Sequence, residues 1–370
     1  MSIGPIQLLV PDMPDSSALL PYLREIDKGA WYTNFGPLSK QFEKRVAHVL
    51  GVSVESVCLA ANCTLALEAA LSCFDLRPGA RVLVPAITFV ATATAVLRSG
   101  FVPVLSDVDS RSWIMTPEIA RRCTARGEID CVIPVAAFGC PVDIASWDAF
   151  SEETDIPVLV DAAGAFGNQG IGRHSVVAFS FHATKTLGSG EGGLVASENR
   201  EWIARFREFI NFGIEGRTGL VRQIGTNAKL SEYHAAVGLA SMAAWPDKKQ
   251  KRRSVHSLYR EKLARFCPTV RLQERPDDGI YSIMQVRLPD SVKAKEIANQ
   301  MAQKGIETRH WYLPTLANHP AIRGAQCYEE ATVASVLADS LIGIPFHLRL
   351  SDEAIEFVCD SLSLALARRA

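Results

Sequence analysis

No apolar run in this chain reaches the length of a membrane span, because Pro, Gly or a charged residue interrupts each one first. The nine cysteines contain no CxxC pair, which excludes the usual zinc and redox spacings. An odd number of scattered thiols suits reduced cysteines in a cytoplasmic protein rather than a disulfide frame. Charge of one sign is not in excess: 39 Lys and Arg stand against 40 Asp and Glu, for a formal net charge of −1. That balance gives no sign of a basic stripe for nucleic acid or of a polybasic or acidic tail. The opening MSIGPIQLLVPDMPDSS has no basic n-region and no cleavage site. We therefore expect a cytoplasmic protein with no secretory leader, no membrane partner and no nucleic-acid partner. Without a secretory route, the match of Asn62-Cys63-Thr64 to a glycosylation sequon has no force. Internal repeats and low-complexity segments are also missing.

What remains is an ordinary globular composition, 48% hydrophobic and 21% charged over 370 residues, enough for a large domain and a smaller companion. Between residues 55 and 200, short apolar runs alternate with helix-like segments. SVCLA precedes TLALEAALSCF, ARVLVPA precedes FVATATAVLRSG, and FVPVLSDVD precedes a helix starting near Thr116. DCVIPVAAFG, a segment from Ile144 to Glu153, and the apolar IPVLVDAAG follow. Strand, crossover helix, strand predicts an α/β fold whose mostly parallel sheet is covered on both faces. Residues 199 to 266 read as helical, with the charged run Lys248 to Arg253 on a solvated face. GIYSIMQVRLPD, VKAKEIANQMAQKG and IETRHWYLP then predict strand, helix and strand, closed by a helix over 351–368. We place the division at Trp245-Pro246, giving a large domain over 1–245 and a smaller C-terminal α/β domain over 246–370.

In an open α/β sheet, ligands bind beyond the carboxyl ends of the strands. Asn62, Cys63 and Thr64 sit at such an end and open a helix, where free N–H groups suit a phosphate or an ordinary N-cap. Asp161 ends the most apolar strand, where a carboxylate needs a cation or a turn to cap. The stretch AFSFHATKTLGSGEGGLVAS puts Lys185 after small, aromatic and hydroxylic residues and ahead of Gly188, Gly190, Gly192 and Gly193. These glycines match GxGxxG but lead into a strand rather than a helix, so the dinucleotide reading fails. A tight bend beside a bulky ligand suits them better. A desolvated amine at Lys185 would lose its proton readily and form a Schiff base. Schiff-base lysine, acidic partner and phosphate donors are together the set that pyridoxal 5′-phosphate requires.

On these residues the sequence resembles the sugar aminotransferases of the DegT/DnrJ/EryC1/StrS family, of fold-type I. The resemblance runs through NFGPLSKQFEKRVAHVLGV, ANCTLALEAAL, VPAITFVATATAVLRSGFVPVLSDVD, VLVDAAGAFG, FSFHATKTLGSGEGG, IGTNAKLSEYHAAVGLA and IPFH. It implies that Lys185 holds the cofactor and shuttles protons, that Asp161 pairs with the pyridine nitrogen, and that Phe89 stacks on the ring. It further implies phosphate contacts from Cys63, Thr64 and Ser180, with Asn227 of GTNAK completing the site of a neighbouring subunit. The protein would then be a homodimer with active sites shared between subunits. Two positions depart from the family's pattern: Cys63 replaces glycine or alanine, and DAAGA puts Gly164 where a side chain usually stands near the cofactor hydroxyl.

The resemblance implies a ping-pong transamination from an amino acid, L-glutamate, to a nucleotide-linked keto-deoxysugar, with a lean toward a 4-keto-6-deoxyhexose on dTDP. Trp31, Tyr32 and Asn34, together with His182, His310, Trp311 and Tyr312, are candidates to line the sugar or base pocket. For the aromatics, domain-interface packing is the equal alternative. Lys229 is a candidate for the diphosphate or a surface lysine, and His347 reads as structural. Two rivals remain: a lyase or dehydratase of the same fold and cofactor, and a non-catalytic regulatory relative. Lys185 argues against the dehydratases that carry histidine there, and retention of both Lys185 and Asp161 argues against the regulator.

Overall fold

The computed structural model describes residues 4–322 and 325–367. Strands β1 (Val57–Ala60), β2 (Arg81–Pro85), β3 (Val102–Ser106), β4 (Cys131–Val132), β5 (Val158–Asp161), β6 (Ser175–Ser180) and β7 (Gly193–Ala196) belong to one sheet. β8 (Arg271–Leu272) and β9 (Met284–Arg287) open a second, β10 (Gln326–Cys327) returns to the first, and β11 (Leu341–Ile344) completes the second. The larger sheet has eight strands in the order β1-β7-β6-β5-β4-β2-β3-β10, and the smaller has the order β11-β9-β8. In the larger sheet only β7 runs against its neighbours, pairing antiparallel with both β1 and β6. The apolar strands are buried along nearly their whole length, as a sheet covered on both faces requires.

The first half of the chain supplies helices α1 (Ser16–Gly29), α2 (Pro37–Leu50), α3 (Cys63–Leu71), α4 (Val90–Arg98), α5 (Pro117–Thr124) and α6 (Ile144–Thr154). The second supplies α7 (Arg200–Phe209), α8 (Glu232–Ala243), α9 (Trp245–Phe266), α10 (Ala294–Gln303), α11 (Thr332–Ser340) and α12 (Asp352–Ala367). Their starts follow local chemistry: the side chains of Asn62, Thr116, Asp143 and Ser231 each accept a backbone N–H of the helix that follows. α2 has no such cap of its own. Glu232, in the first turn of α8, accepts instead from Leu38 N at 2.7 Å and Ser39 N at 2.9 Å. One carboxylate thus joins two helices.

Two hydrophobic clusters form, one around the large sheet and one around the small. We propose that the division near Trp245 holds for the sheets, with exceptions on both sides of it. Ile6 packs in the second cluster and bridges to Ile306. Ile280, Leu316, Ile322, Ala334, Leu337 and Leu341 pack in the first, where Asp107 accepts from Val333 N and Ala334 N at the start of α11.

Three expectations need correction. Residues 210–231 form no helix between α7 and α8; their glycines include Gly213 at φ +77, and Gly225 abuts Gly213 so closely that a methyl there would meet its nitrogen at 2.2 Å. IETRHWYLP forms isolated bridges to Ile6 and Gly343 instead of a strand, because its two halves are tied to different neighbours. The run Lys248 to Arg253 is not simply a solvated face. α9 lies against both clusters, so its 248, 252, 256, 259, 263 stripe turns inward. Lys248 Nζ donates to Asp12 O at 2.7 Å and pairs with the Asp12 carboxylate at 3.1 Å, while buried Arg252 donates to Tyr281 O. The final residue of the helix expected over 351–368 lies outside the described residues.

Candidate active site

The carboxyl ends of β1, β2, β4, β5 and β6 converge on one cavity of about 390 Å³. This is the crevice that an open α/β sheet offers to a ligand. Lys185, Asp161, Cys63, Thr64, Phe89, Ser180, His182 and Trp311 all line it, as does Tyr312.

Asp161 is the last residue of β5 and is 5% exposed. Its Oδ2 accepts from Thr92 Oγ1 at 2.7 Å and its Oδ1 from Ala163 N at 3.1 Å. Burial nevertheless raises its pKa above the ordinary carboxylate value, against the opposing pull of those bonds and of Lys185. A buried carboxylate in that condition calls for a cation at the cavity floor. The turn-capping reading of this residue is seen directly, in the bond from Ala163 N.

α3 begins at the cavity, with Asn62 Oδ1 capping Leu65 N at 2.9 Å. The cap leaves the first-turn N–H groups at Cys63 and Thr64 for a ligand. The Cys63 thiol contributes no charge, because burial, then Asp161, holds its pKa well above the usual value. Gly193 explains one glycine of the run: a Cβ there would come within 2.5 Å of the Asn62 carbonyl and 2.8 Å of Cys63 N. β7 can lie against the helix start only without that carbon. Gly190, at φ +84, supplies a left-handed bend ahead of it.

Ser180 ends β6, with its Oγ accepting from His182 N at 3.3 Å. The His182 ring is tied to Thr184 Oγ1 at 2.9 Å and stands 3.8 Å from Glu191. Phe89 is 53% exposed, a large apolar ring left facing the cavity. Behind it, Tyr312 lies 6.3 Å from Phe89 and stacks on Phe138 at 5.5 Å. Gly164 also lines the cavity, and a methyl there would meet only Gly139, at an ordinary 3.5 Å. Neither packing nor φ requires glycine at 164, so its missing side chain is cavity space.

Other expected residues are not brought in. Trp31 is exposed and donates to Thr33 O, Tyr32 stacks on Tyr233, and Asn34 occupies a turn at φ +63. His310 turns away from the lining, half-buried, with its pKa lowered by burial, since Trp311 takes the inward position beside it. Asn227 bridges to Asn211, and buried Lys229 lies over Phe212 at 4.5 Å; neither lines its own chain's cavity. His347 is bonded to Gln7 O, a structural role. Sequence reasoning missed Thr92, Phe138, Glu191 and Arg309. Thr92 had a usable signal, one helical turn beyond Phe89, whereas the others reach the cavity only through tertiary packing.

A half-buried amine, a buried carboxylate, a helix start and a free aromatic face suit a planar, phosphorylated, cationic ring that bears an aldehyde. The site fits pyridoxal 5′-phosphate, and no cluster of His, Cys, Asp or Glu among the described residues is able to hold a metal.

The model of the DegT/DnrJ/EryC1/StrS aminotransferase family matches residues 15–363. Protein Rv3402c of Mycobacterium tuberculosis strain H37Rv is 29% identical over 383 residues, spanning 99% of this chain and 92% of that protein. The dTDP-4-amino-4,6-dideoxy-D-glucose transaminase of Shigella dysenteriae is 26% identical over 366 residues, spanning 97% and 98%. Among solved structures, DesI in the presence of its TDP-sugar product aligns with a TM-score of 0.89 at 28% identity, covering 99% of this chain and 94% of that one. The expected α/β, fold-type I architecture is the one shared with such structures. Matched in sequence along nearly its whole length, and with a lysine and a carboxylate brought to one cavity, this chain belongs to the DegT/DnrJ/EryC1/StrS aminotransferase family.

Proposed function

We propose that this protein is a pyridoxal-phosphate-dependent aminotransferase that moves an amino group from L-glutamate to a dTDP-linked 4-keto-6-deoxyhexose. The observation that carries the reading is the meeting of Lys185 and Asp161 in one cavity at the carboxyl edge of the sheet. The dTDP-sugar names of relatives at 26–28% identity support the acceptor class.

Pyridoxal phosphate, when bound, supplies an electron sink next to the carbon that gives or takes a proton. Lys185 anchors it and then carries that proton at Nζ. Asp161, held by Thr92 and Ala163, keeps positive charge on the ring nitrogen. The start of α3 and Ser180 Oγ receive the phosphate. Phe89, exposed at the cavity, would offer its face to the ring and keep water from it. The amino group would stay with the cofactor-loaded enzyme after the donor leaves as its keto acid, and the acceptor would then enter the same site beside Lys185, which gives ping-pong kinetics.

We place the protein in the cytoplasm as a homodimer with shared sites. Supporting this are Asn227 and Lys229, which lie outside their own chain's cavity, on or beside an apolar loop in which Ile224 is 90% exposed and Phe212, Leu220 and Val221 are exposed too. No helix among the described residues is long and apolar enough to cross a membrane. The acceptor is tested by presenting the amine-loaded enzyme with a panel of keto-sugar nucleotides and recording the return of yellow colour. Return with dTDP-4-keto-6-deoxyhexose supports the proposal, and return only with a 3-keto sugar or another nucleotide reassigns it.

A further inference from the structure

Among the described residues, one lysine and one arginine line the cavity, Lys185 and Arg309, and the chemistry above uses only the lysine. Arg309 is held from two directions. Its backbone bridges Gly343 of β11 through both N–H groups, at 3.1 and 2.7 Å. Its guanidinium carbon lies 4.3 Å from the centroid of the Trp311 ring, a cation spread on an indole face. Trp311 is itself seated by a glycine: a methyl on Gly343 would approach indole Nε1 to 2.8 Å and Cδ1 to 2.9 Å. β11 thus carries a notch, the indole fills it, and the guanidinium rests on the indole. Among the described residues, no carboxylate pairs with Arg309 and its guanidinium has no hydrogen-bond acceptor. Of the two acidic side chains in the lining, Asp161 is bound to Thr92 and Ala163, and Glu191 stands beside His182.

We propose that Arg309 receives the α-carboxylate of the amino donor, with Trp311 and Gly343 as its positioning residues. This deepens the reading above and rests on an amino acid being the donor. A guanidinium presents parallel N–H groups that match a carboxylate in a bidentate way. The donor's carboxylate is attached to the very carbon that loses its proton, so it must enter the cavity that holds Lys185. In a nucleotide-linked 4-keto sugar, the diphosphate lies across the ring from the reacting carbon. A cation sharing the cavity of Lys185 therefore suits the donor. Once the keto acid leaves, the same arginine is free again while the sugar occupies the site.

The test uses the cofactor-loaded enzyme and glutarate, a dicarboxylate without an amino group, which binds but cannot react. Calorimetry gives its affinity for wild type, Arg309→Gln, Arg309→Lys and Gly343→Ala. Absorbance titrations give half-saturation for L-glutamate and, in the opposite half-reaction, for the dTDP-keto sugar. We expect Arg309→Gln to weaken glutarate and glutamate about tenfold or more while the sugar changes less than about twofold. Arg309→Lys should recover part of the loss, and Gly343→Ala should imitate a mild form of it. The proposal is overturned if wild type does not bind glutarate, if Arg309→Gln binds it normally, or if the loss falls on the sugar nucleotide alone, which would assign the cation to the diphosphate. A wild type that binds glutarate but leaves glutamate unreacted would instead overturn the glutamate assignment, and the glutarate comparison would still decide the subsite.

Discussion

Thr92 Oγ1 donates to Asp161 Oδ2 at 2.7 Å, and Thr88 Oγ1 lies 3.0 Å behind it, so a chain of hydroxyls from the start of α4 holds the carboxylate at the end of β5. The two residues come from different strand–helix units, and their bond fixes which way the carboxylate faces. Thr92→Val keeps the shape and removes the donor. Loss of one such bond is worth about 1 kcal/mol or somewhat more. We expect pyridoxal phosphate to dissociate roughly tenfold more readily, measured by fluorescence titration of the apo-protein, with little change in fold.

Asp161 also predicts a pH dependence of the cofactor-free protein. Its folded pKa is raised above 3.8 by burial, so the folded state holds the proton more tightly than the unfolded chain. Its contribution to stability is complete below that unfolded value and is lost as pH rises through the raised one. Asp161→Asn should remove this part of the decline. Thermal unfolding of apo wild type and variant across the acidic range measures the difference, which should grow in the variant's favour as pH rises. Parallel curves would contradict it.

Gly193→Ala puts a methyl 2.5 Å from the Asn62 carbonyl, so the start of α3 must move. The phosphate donors at Cys63 and Thr64 move with it. The expected result is weaker cofactor binding together with a lower unfolding midpoint. Free inorganic phosphate should protect wild type against heat more than it protects this variant.

Lys248→Met breaks the clamp on the N-terminal segment, where the lysine bonds to Asp12 O and pairs with its carboxylate. That segment runs from the Ile6 bridge past Leu9, which lines the cavity, to Met13, which lies against Gly188. We expect faster proteolytic nicking near residues 9–13 and a raised half-saturation for both substrates, with the cores unaffected.

The strand–helix alternation was legible because buried parallel strands are apolar runs, and it placed Asp161 and Lys185 at adjacent strand ends. Legibility failed where one pattern serves two surroundings. Lys248 and Arg252 look solvated in sequence, yet α9 runs between two cores and turns them inward. His310 and Trp311 are neighbours, and it is the indole, seated against Gly343, that lines the cavity. Asn227 and Lys229 carry no local sign that the cavity of their own chain leaves them out.

The most direct test of the account is the visible spectrum of the purified protein before and after L-glutamate. We predict a yellow protein that bleaches to a pyridoxamine-like spectrum, and a Lys185→Ala variant that neither holds the wild-type colour nor bleaches. A yellow protein indifferent to glutamate would point to another donor or to lyase chemistry. A protein that stays colourless with added pyridoxal phosphate would contradict the central claim that Lys185 and Asp161 form a cofactor site.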